Sequence, residues 1–225
     1  MSLTGVVFDF DGTMVDTESA VFGSVAQVWA THGLELAPER WMPYIGSAES
    51  FDWLGELDAR VGPLDRIAVQ AEWMEVLMDL SAQAPMRPGV LALLDDCSAQ
   101  GIPMAVASNA PRAWLEVQLG SRGLWERFDA VVAVDDVPAA KPAPDVYLAA
   151  VDALGVDPEG VVAIEDSPTG VASARAAGLA CIGVPAGLSA AMDLSAATWV
   201  LPDLTDLTVA GLTDLLAAST RSGSG

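Results

Sequence analysis

Asp9 and Asp11 follow an apolar run, Gly5-Val6-Val7-Phe8, and lead into Gly12 and Thr13. Residues i and i+2 of an extended chain project to the same side, so two carboxylates at that spacing repel unless the chain turns, or a cation or shared proton relieves them. A hard divalent cation with oxygen ligands is one such relief. An acidic turn that closes a strand is the other reading of the pair taken alone. A calcium loop of the EF-hand type fails on spacing, because its glycine belongs at the sixth position and Gly12 stands at the fourth. Three more short stretches add complementary chemistry. Ser108-Asn109 offers a hydroxyl and an amide, Lys141 is the one lysine beside nine arginines, and Glu165-Asp166 is a second acid pair. Oxygen ligands for Mg²⁺, a fixed positive charge and the amides that open a helix are what a phosphoryl group requires. Each piece also has a purely structural reading. Ser108-Asn109 before Pro111 can cap a helix, Lys141-Pro142 can be a surface loop, and Glu165-Asp166-Ser167-Pro168 can be an acidic first helical turn.

These groups act together only if the fold brings them together. An unbroken apolar run before Asp9 is the pattern of a strand buried on both faces, as in a parallel sheet. After Arg87-Pro88-Gly89 the chain alternates helix and strand. Helices are predicted over about 90–99, from about Pro111, over 145–154 and over 168–177; strands over 103–107, 130–134, 161–164 and 180–184; shorter elements lie around 199–201 and 207–218. The alternation predicts an α/β fold with a doubly wound, Rossmann-like parallel sheet covered on both faces. Ligands of such sheets collect beyond the carboxyl ends of the strands. Asp9, Asp11, Ser108, Asn109, Lys141, Glu165 and Asp166 all stand at a strand end or in the following loop, and therefore share one edge.

Between Asp16 and Met86 strand signals are absent. Apolar residues recur there at helical spacing in three runs: Val21, Val25, Val28 and Trp29; Phe51, Leu54, Leu57 and Val61; Ile67, Ala71, Met74, Leu77 and Met78. They end at Gly33, at Gly62-Pro63 and near Pro85. The expected organisation is a catalytic core of residues 1–15 and 87–220, an inserted all-helical cap domain of residues 16–86, and a flexible Ser/Gly-rich tail of residues 221–225. Trp29, Trp41, Trp53 and Trp73 fall in the cap and read mainly as its core, with one or two lining a wall over the site.

Composition narrows the function further. With 52% apolar and 18% charged residues in a chain of 225, there is ample material for a buried core. No apolar run reaches the roughly 18 residues of a membrane span, and the start lacks the layout of a signal peptide, so a cytoplasmic protein is expected. A net charge of −21 argues against nucleic acid and anionic membranes as partners, which demand clustered Lys and Arg. Cys97 and Cys181 read as buried thiols, and His32 before Gly33 as a residue closing a helix. A metal site would therefore be built from oxygen.

In order and spacing, Asp9-Phe10-Asp11-Gly12-Thr13, Ser108-Asn109, Lys141 and Glu165-Asp166 resemble the four motifs of the haloacid dehalogenase superfamily of Mg²⁺-dependent phosphatases and phosphomutases. The resemblance spans nearly the whole chain and implies that 16–86 is the family's helical cap. It implies Asp9 as the nucleophile that forms an aspartyl-phosphate and Asp11 as the acid and base. Asp9, Asp11 and Asp166 would hold Mg²⁺, with Asp11 using its main-chain carbonyl. Ser108, Asn109 and Lys141 would bind the phosphoryl oxygens, supported by Thr13 and Glu165. Dehalogenases of the superfamily need neither the second aspartate nor the metal, so Asp11 favours phosphoryl transfer. The beta-phosphoglucomutase branch carries a histidine shortly after the first motif and basic residues in the cap. Here the corresponding place is near Val21, and the loop from Tyr44 to Glu49 offers Glu49 and no arginine. Hydrolysis of a small phosphate monoester, of which a sugar phosphate is the family-level example, is thus expected over mutase activity. The rival from another class is a non-enzymatic phosphoacceptor like a signalling receiver domain, which is about half this length and lacks a helical insert.

Overall fold

In the computed structural model, which describes residues 2–44, 51–185 and 187–222, β1 (Gly5–Phe8) is buried at every position. The two-residue period of a strand explains the unbroken apolar run. Val6 and Phe8 point into one hydrophobic layer, with Val90, Leu93, Leu115 and Leu212, while Val7 points into the other, with Val146, Tyr147 and Val171. β4 (Val161–Glu165) divides in the same way, Val162 and Ile164 to the first layer, Val161 and Ala163 to the second. With β2 (Met104–Ala107), β3 (Ala130–Val132), β5 (Ala180–Gly183) and β6 (Trp199–Val200) they form one parallel sheet in the order β3-β2-β1-β4-β5-β6. Strand order reverses at β1, and β1 pairs with β2 on one side and β4 on the other. The predicted doubly wound sheet is the one observed, and its switch point carries Asp9.

Nine α-helices are described: α1 (Thr17–Thr31), α2 (Pro38–Trp41), α3 (Trp53–Val61), α4 (Arg66–Gln83), α5 (Val90–Gln100), α6 (Arg112–Ser121), α7 (Asp145–Leu154), α8 (Pro168–Ala176) and α9 (Val209–Ser222). The first four lie between β1 and β2 and carry a hydrophobic cluster of their own, built on Val25, Val28, Trp29, Trp41, Phe51 and Leu57. Asp16 and Asp52 start α1 and α3 by accepting from backbone N–H groups, and Asp65 starts α4 in the same way. The two chain segments that enter and leave this insert run side by side. Asp16 N–H donates to Pro85 O at 3.1 Å and Arg87 N–H to Met14 O at 2.8 Å. Arg122, just past α6, holds the insert from the core side, donating to the carbonyls of Ser81 at 2.5 Å and Ala84 at 3.3 Å.

Two expectations need correction. The predicted strand at 130–134 stops at Val132, and Val134–Asp136 make a 3₁₀ turn. α9 continues through Arg221 and Ser222, so the helix claims two residues of the predicted tail. The tail's remaining three residues and the loop residues 45–49, on which the comparison with mutases relied, lie outside the described residues. The third apolar run is helical as predicted and only partly buried. Ile67 is 81% exposed and Met74 46%, while α4 is anchored by Val69, Leu77 and Ser81. Helical spacing shows that residues share a face; it does not say what that face meets.

Candidate active site

The turn after β1 is shaped by what it approaches. Gly12 has φ +84°, and a Cβ there would collide with the carboxylate of Asp166 at the end of β4. Glycine alone permits both the left-handed backbone and the close approach. The neighbouring strand ends thereby bring Asp9 and Asp166 together, and the Thr13 hydroxyl sits between them, 2.9 Å from Asp9 Oδ2 and 3.2 Å from Asp166 Oδ1.

Lys141 is 4% exposed and reaches the same place from the loop before α7. Its Nζ donates to Asp9 Oδ1 at 2.7 Å and to Glu165 Oε1 at 2.6 Å. Burial works against its charge, but the facing acids Asp9 and Glu165 outweigh that and hold the ammonium above its ordinary value. Glu165 Oε1 also accepts from the Tyr147 hydroxyl at 2.7 Å, and its Oε2 from Ser167 at 3.3 Å. A Cβ on Gly170 would occupy the space of that carboxylate, so the glycine of α8 makes room for it. Asn109 lines the same cavity as Asp9 and Lys141, and its amide also engages the lysine's backbone. Its Oδ1 accepts from Lys141 N at 2.8 Å and its Nδ2 donates to Lys141 O at 3.3 Å, so the amide grips the backbone that carries the lysine. Ser108 Oγ accepts from Ala110 N–H at 3.0 Å, and α6 begins just after Pro111 without a side-chain cap. The helix-capping reading of Ser108-Asn109 therefore does not hold. Ser167 does cap α8, accepting from Gly170 N–H at 3.0 Å.

Asp11 turns away from the other acids. Its Oδ1 accepts from Thr17 Oγ1 at 2.7 Å and from Trp114 Nε1 at 3.0 Å. Burial, aided by the charge of Asp9, pushes its carboxyl up to about 6, although the two donors pull the other way. A carboxyl group there can carry a proton near neutral pH, as general acid–base work demands.

Asp9, Glu165 and Asp166 each offer an oxygen, all within 4.8 Å of one another, and all three residues are buried. Burial pushes Asp166 well above its ordinary value, with Asp9 and Glu165 adding to the effect; Glu165 is also raised, chiefly by burial. Lys141 is the one cation paired with these acids, and no lysine or arginine pairs with Asp166 among the described residues. Three buried acids against one ammonium is a set that a hard cation would complete, and the all-oxygen donors suit Mg²⁺. The residues present fit the metal.

Thr17, Trp114, Tyr147 and Ser189 are partners that the sequence reading missed. Ser189 donates to Asp166 Oδ2 at 2.9 Å from the 3₁₀ turn at Gly187–Ala191. Thr17 stands at the start of a predicted helix and Trp114 three residues after Pro111, near enough to strand ends to be suspected. Tyr147 and Ser189 sit in ordinary surroundings with no such signal.

A family model described as a haloacid dehalogenase-like hydrolase matches residues 3–178. This chain belongs to the haloacid dehalogenase-like hydrolases. CbbY of Rhodobacter capsulatus is 33% identical to it over 218 residues, 91% of this chain and 95% of that protein. Hexitol phosphatase B of Escherichia coli K12 is 30% identical over 195 residues, 82% of this chain and 84% of that protein. Among solved structures, a variant of CbbY from Rhodobacter sphaeroides in complex with xylulose-(1,5)bisphosphate superposes with a TM-score of 0.77 at 27% identity, covering 93% of this chain and 99% of that one. The family resemblance carried by the four motifs thus extends over sheet, helices and insert of this hydrolase.

Proposed function

We propose that this hydrolase cleaves a small phosphate monoester, of the sugar-phosphate kind suggested by the name hexitol phosphatase, through an aspartyl-phosphate on Asp9. The observation that carries the reading is the contrast between two acids one residue apart. Asp9 lies against Lys141 and Thr13, and Asp11, half-buried at the wall of the same cavity, faces Thr17 and Trp114 with its carboxyl raised to about 6. Asp9 attacks phosphorus, and the bond to the alcohol oxygen breaks while Asp11 delivers the proton the alcohol needs. Asp11 then takes a proton from water, the water oxygen attacks phosphorus, and inorganic phosphate leaves with Asp9 restored. Lys141 and the Ser108 hydroxyl hold phosphoryl oxygens; Asn109 fixes the lysine's backbone; Glu165 steadies its ammonium. Mg²⁺ held by Asp9, Asp166 and the Asp11 main-chain carbonyl would neutralise charge gathering on the phosphoryl group.

Helices α1–α4 are read as a cap, residues 16–86, over a core of residues 1–15 and 87–220. No described helix is long and apolar enough to cross a membrane, and the two buried, free thiols Cys97 and Cys181 fit a cytoplasmic enzyme. The test is phosphate release from p-nitrophenyl phosphate with and without Mg²⁺, in the wild type and in Asp9→Asn. Steady, Mg²⁺-dependent turnover that Asp9→Asn abolishes supports the reading. A single stoichiometric phosphorylation without turnover would instead mark a phosphoacceptor, and EDTA-resistant activity would remove the metal.

A further inference from the structure

We propose that the substrate is a monophosphate whose leaving group turns an apolar face toward α4, and that esters carrying a second phosphate are poor substrates. The inference rests on the phosphatase reading and replaces its family-level example, a plain sugar phosphate, with an ester whose alcohol is apolar on one side. An aromatic or alkyl alcohol meets the description, as does a sugar that carries such a group.

The acids and Lys141 open into a cavity of about 660 Å³, far more than a phosphate needs. Its walls differ in chemistry. Asp9, Ser108, Asn109 and Lys141 line the sheet side; facing them stand Val21 of α1, Trp73, Met74, Leu77 and Met78 of α4, and Val117 of α6. Positions 74, 77 and 78 lie on one face of a helix. Met74 and Val117 are each 46% exposed, so large apolar side chains have been left open at this cavity. Contiguous exposed hydrocarbon marks a contact surface, unlike single apolar residues scattered over a protein. The one polar atom of the Trp73 ring is already committed, donating to Ser24 Oγ at 2.9 Å. A fully hydroxylated sugar would press hydroxyls against this wall without partners, at a cost that an apolar face avoids.

A second phosphate would need a second cation. The side chains of eight arginines are described, and all eight are engaged elsewhere. Arg40 pairs with Glu56, Arg66 with Asp58, Arg87 with Asp16, Arg112 with Asp136 and Arg127 with Asp95. Arg60 lies over the Trp29 ring, Arg122 holds the Ser81 and Ala84 carbonyls, and Arg175 holds Leu179 O and Thr198. None of them lines the cavity. Arg221 belongs to the last turn of α9, a helix that packs on α5. Residues 45–50 contain neither lysine nor arginine. The cavity adds a further acid instead, Glu18. A bisphosphate such as the one in the CbbY complex would set its second phosphate among Asp11, Glu18 and hydrocarbon, and like charges without a counter-ion are how a site rejects a ligand.

Three esters of primary alcohols separate the possibilities without confounding leaving-group acidity: 2-phenylethyl phosphate, glucose 6-phosphate and fructose 1,6-bisphosphate. Measured on the full chain with Mg²⁺, kcat/KM is expected to favour the phenylethyl ester over glucose 6-phosphate by about tenfold or more, the scale of discrimination available to an apolar pocket. The bisphosphate should rank last. Equal or better turnover of either sugar ester overturns this inference while leaving the phosphatase reading intact. No turnover of these three or of p-nitrophenyl phosphate overturns the phosphatase reading itself. Met74→Arg places a cation on the apolar wall at a half-exposed position. It should lower kcat/KM for the phenylethyl ester and raise it for the bisphosphate, and an unchanged ranking in the folded variant would remove α4 from the site.

Discussion

Replacing Lys141 with methionine keeps the stem and deletes the charge, which exposes how much of the fold's stability depends on one ammonium. The side chain is 4% exposed and contacts Asp9 Oδ1 at 2.7 Å and Glu165 Oε1 at 2.6 Å. At an effective dielectric constant of about 20, each contact corresponds to roughly 6 kcal/mol of Coulomb attraction before desolvation is counted. Desolvation offsets much of that, and breaking a buried pair from one side costs about 3–5 kcal/mol. Against a total stability of about 5–15 kcal/mol the loss is large, equivalent to roughly 6–20 °C in Tm for a chain of this size. The penalty arises because Asp9, Glu165 and Asp166 are left facing one another, so it should shrink under conditions that remove their charge. Urea unfolding in EDTA at pH 7.5 should show the full loss, whereas at pH 5 the gap between variant and wild type should narrow, since Glu165 and Asp166 are both raised and take up protons early. Added Mg²⁺ should narrow it too. Turnover should fall about 10²–10³-fold with the loss of a preorganised charge. An unfolding midpoint equal to wild type in EDTA at pH 7.5, or a penalty that acid does not reduce, would refute the picture of a strained acid cluster held by one lysine.

The same cluster makes the metal-free protein acid-favouring. Burial raises the carboxyls of Asp11, Glu18, Glu165 and Asp166, with Asp11 at about 6. A group raised on folding binds its proton more tightly in the native state; its contribution is complete below the unfolded value and is lost as pH climbs through the folded one. In EDTA, Tm is therefore expected to be higher at pH 5 than at pH 8, with Mg²⁺ restoring the loss at pH 8; a higher Tm at pH 8 in EDTA would contradict the assignment. Above pH 5 the exposed acids held low by their partners, such as Asp58 beside Arg66, are already ionised and do not oppose the trend. Gly12→Ala adds a methyl group where Asp166 sits and demands a left-handed alanine. The displaced carboxylate should weaken Mg²⁺ activation by about 10–100-fold, the usual cost of disturbing groups around a metal, and a magnesium titration indistinguishable from wild type would show that Asp166 is no ligand.

Much of this molecule was legible from residue order. β1, β2, β4 and β5 were recognisable because strands buried on both faces are apolar without interruption, and the helix over 145–154 lies where its pattern places it. Asp9, Asp11, Thr13, Lys141, Glu165 and Asp166 were identifiable as candidates because a parallel sheet delivers all its strand ends to one edge, and the geometry brings them there. The spacing of Met74, Leu77 and Met78 predicted the helix without saying what its face meets, because the difference between facing a core and facing a cavity is set by what lies across from them. Asn109 has a contact that residue order did not announce. An amide can donate and accept in any direction, and only its placement 2.8 Å from the Lys141 backbone shows where its bonds go.

Sequence alone determined the local facts: which segments are strands, where the chain must turn, and that a divalent cation would find oxygen and not nitrogen or sulfur. These follow from side-chain type and near-neighbour spacing, which are properties of the covalent chain. Tertiary structure decided the rest, namely that Asp11 faces Thr17 and Trp114 and not its neighbouring acids, that Tyr147 and Ser189 complete the cluster, and that every described arginine is engaged away from the cavity. Burial, desolvation and the pairing of charges depend on which distant residues are packed together, and that is settled only when sheet, helices and insert close on one another.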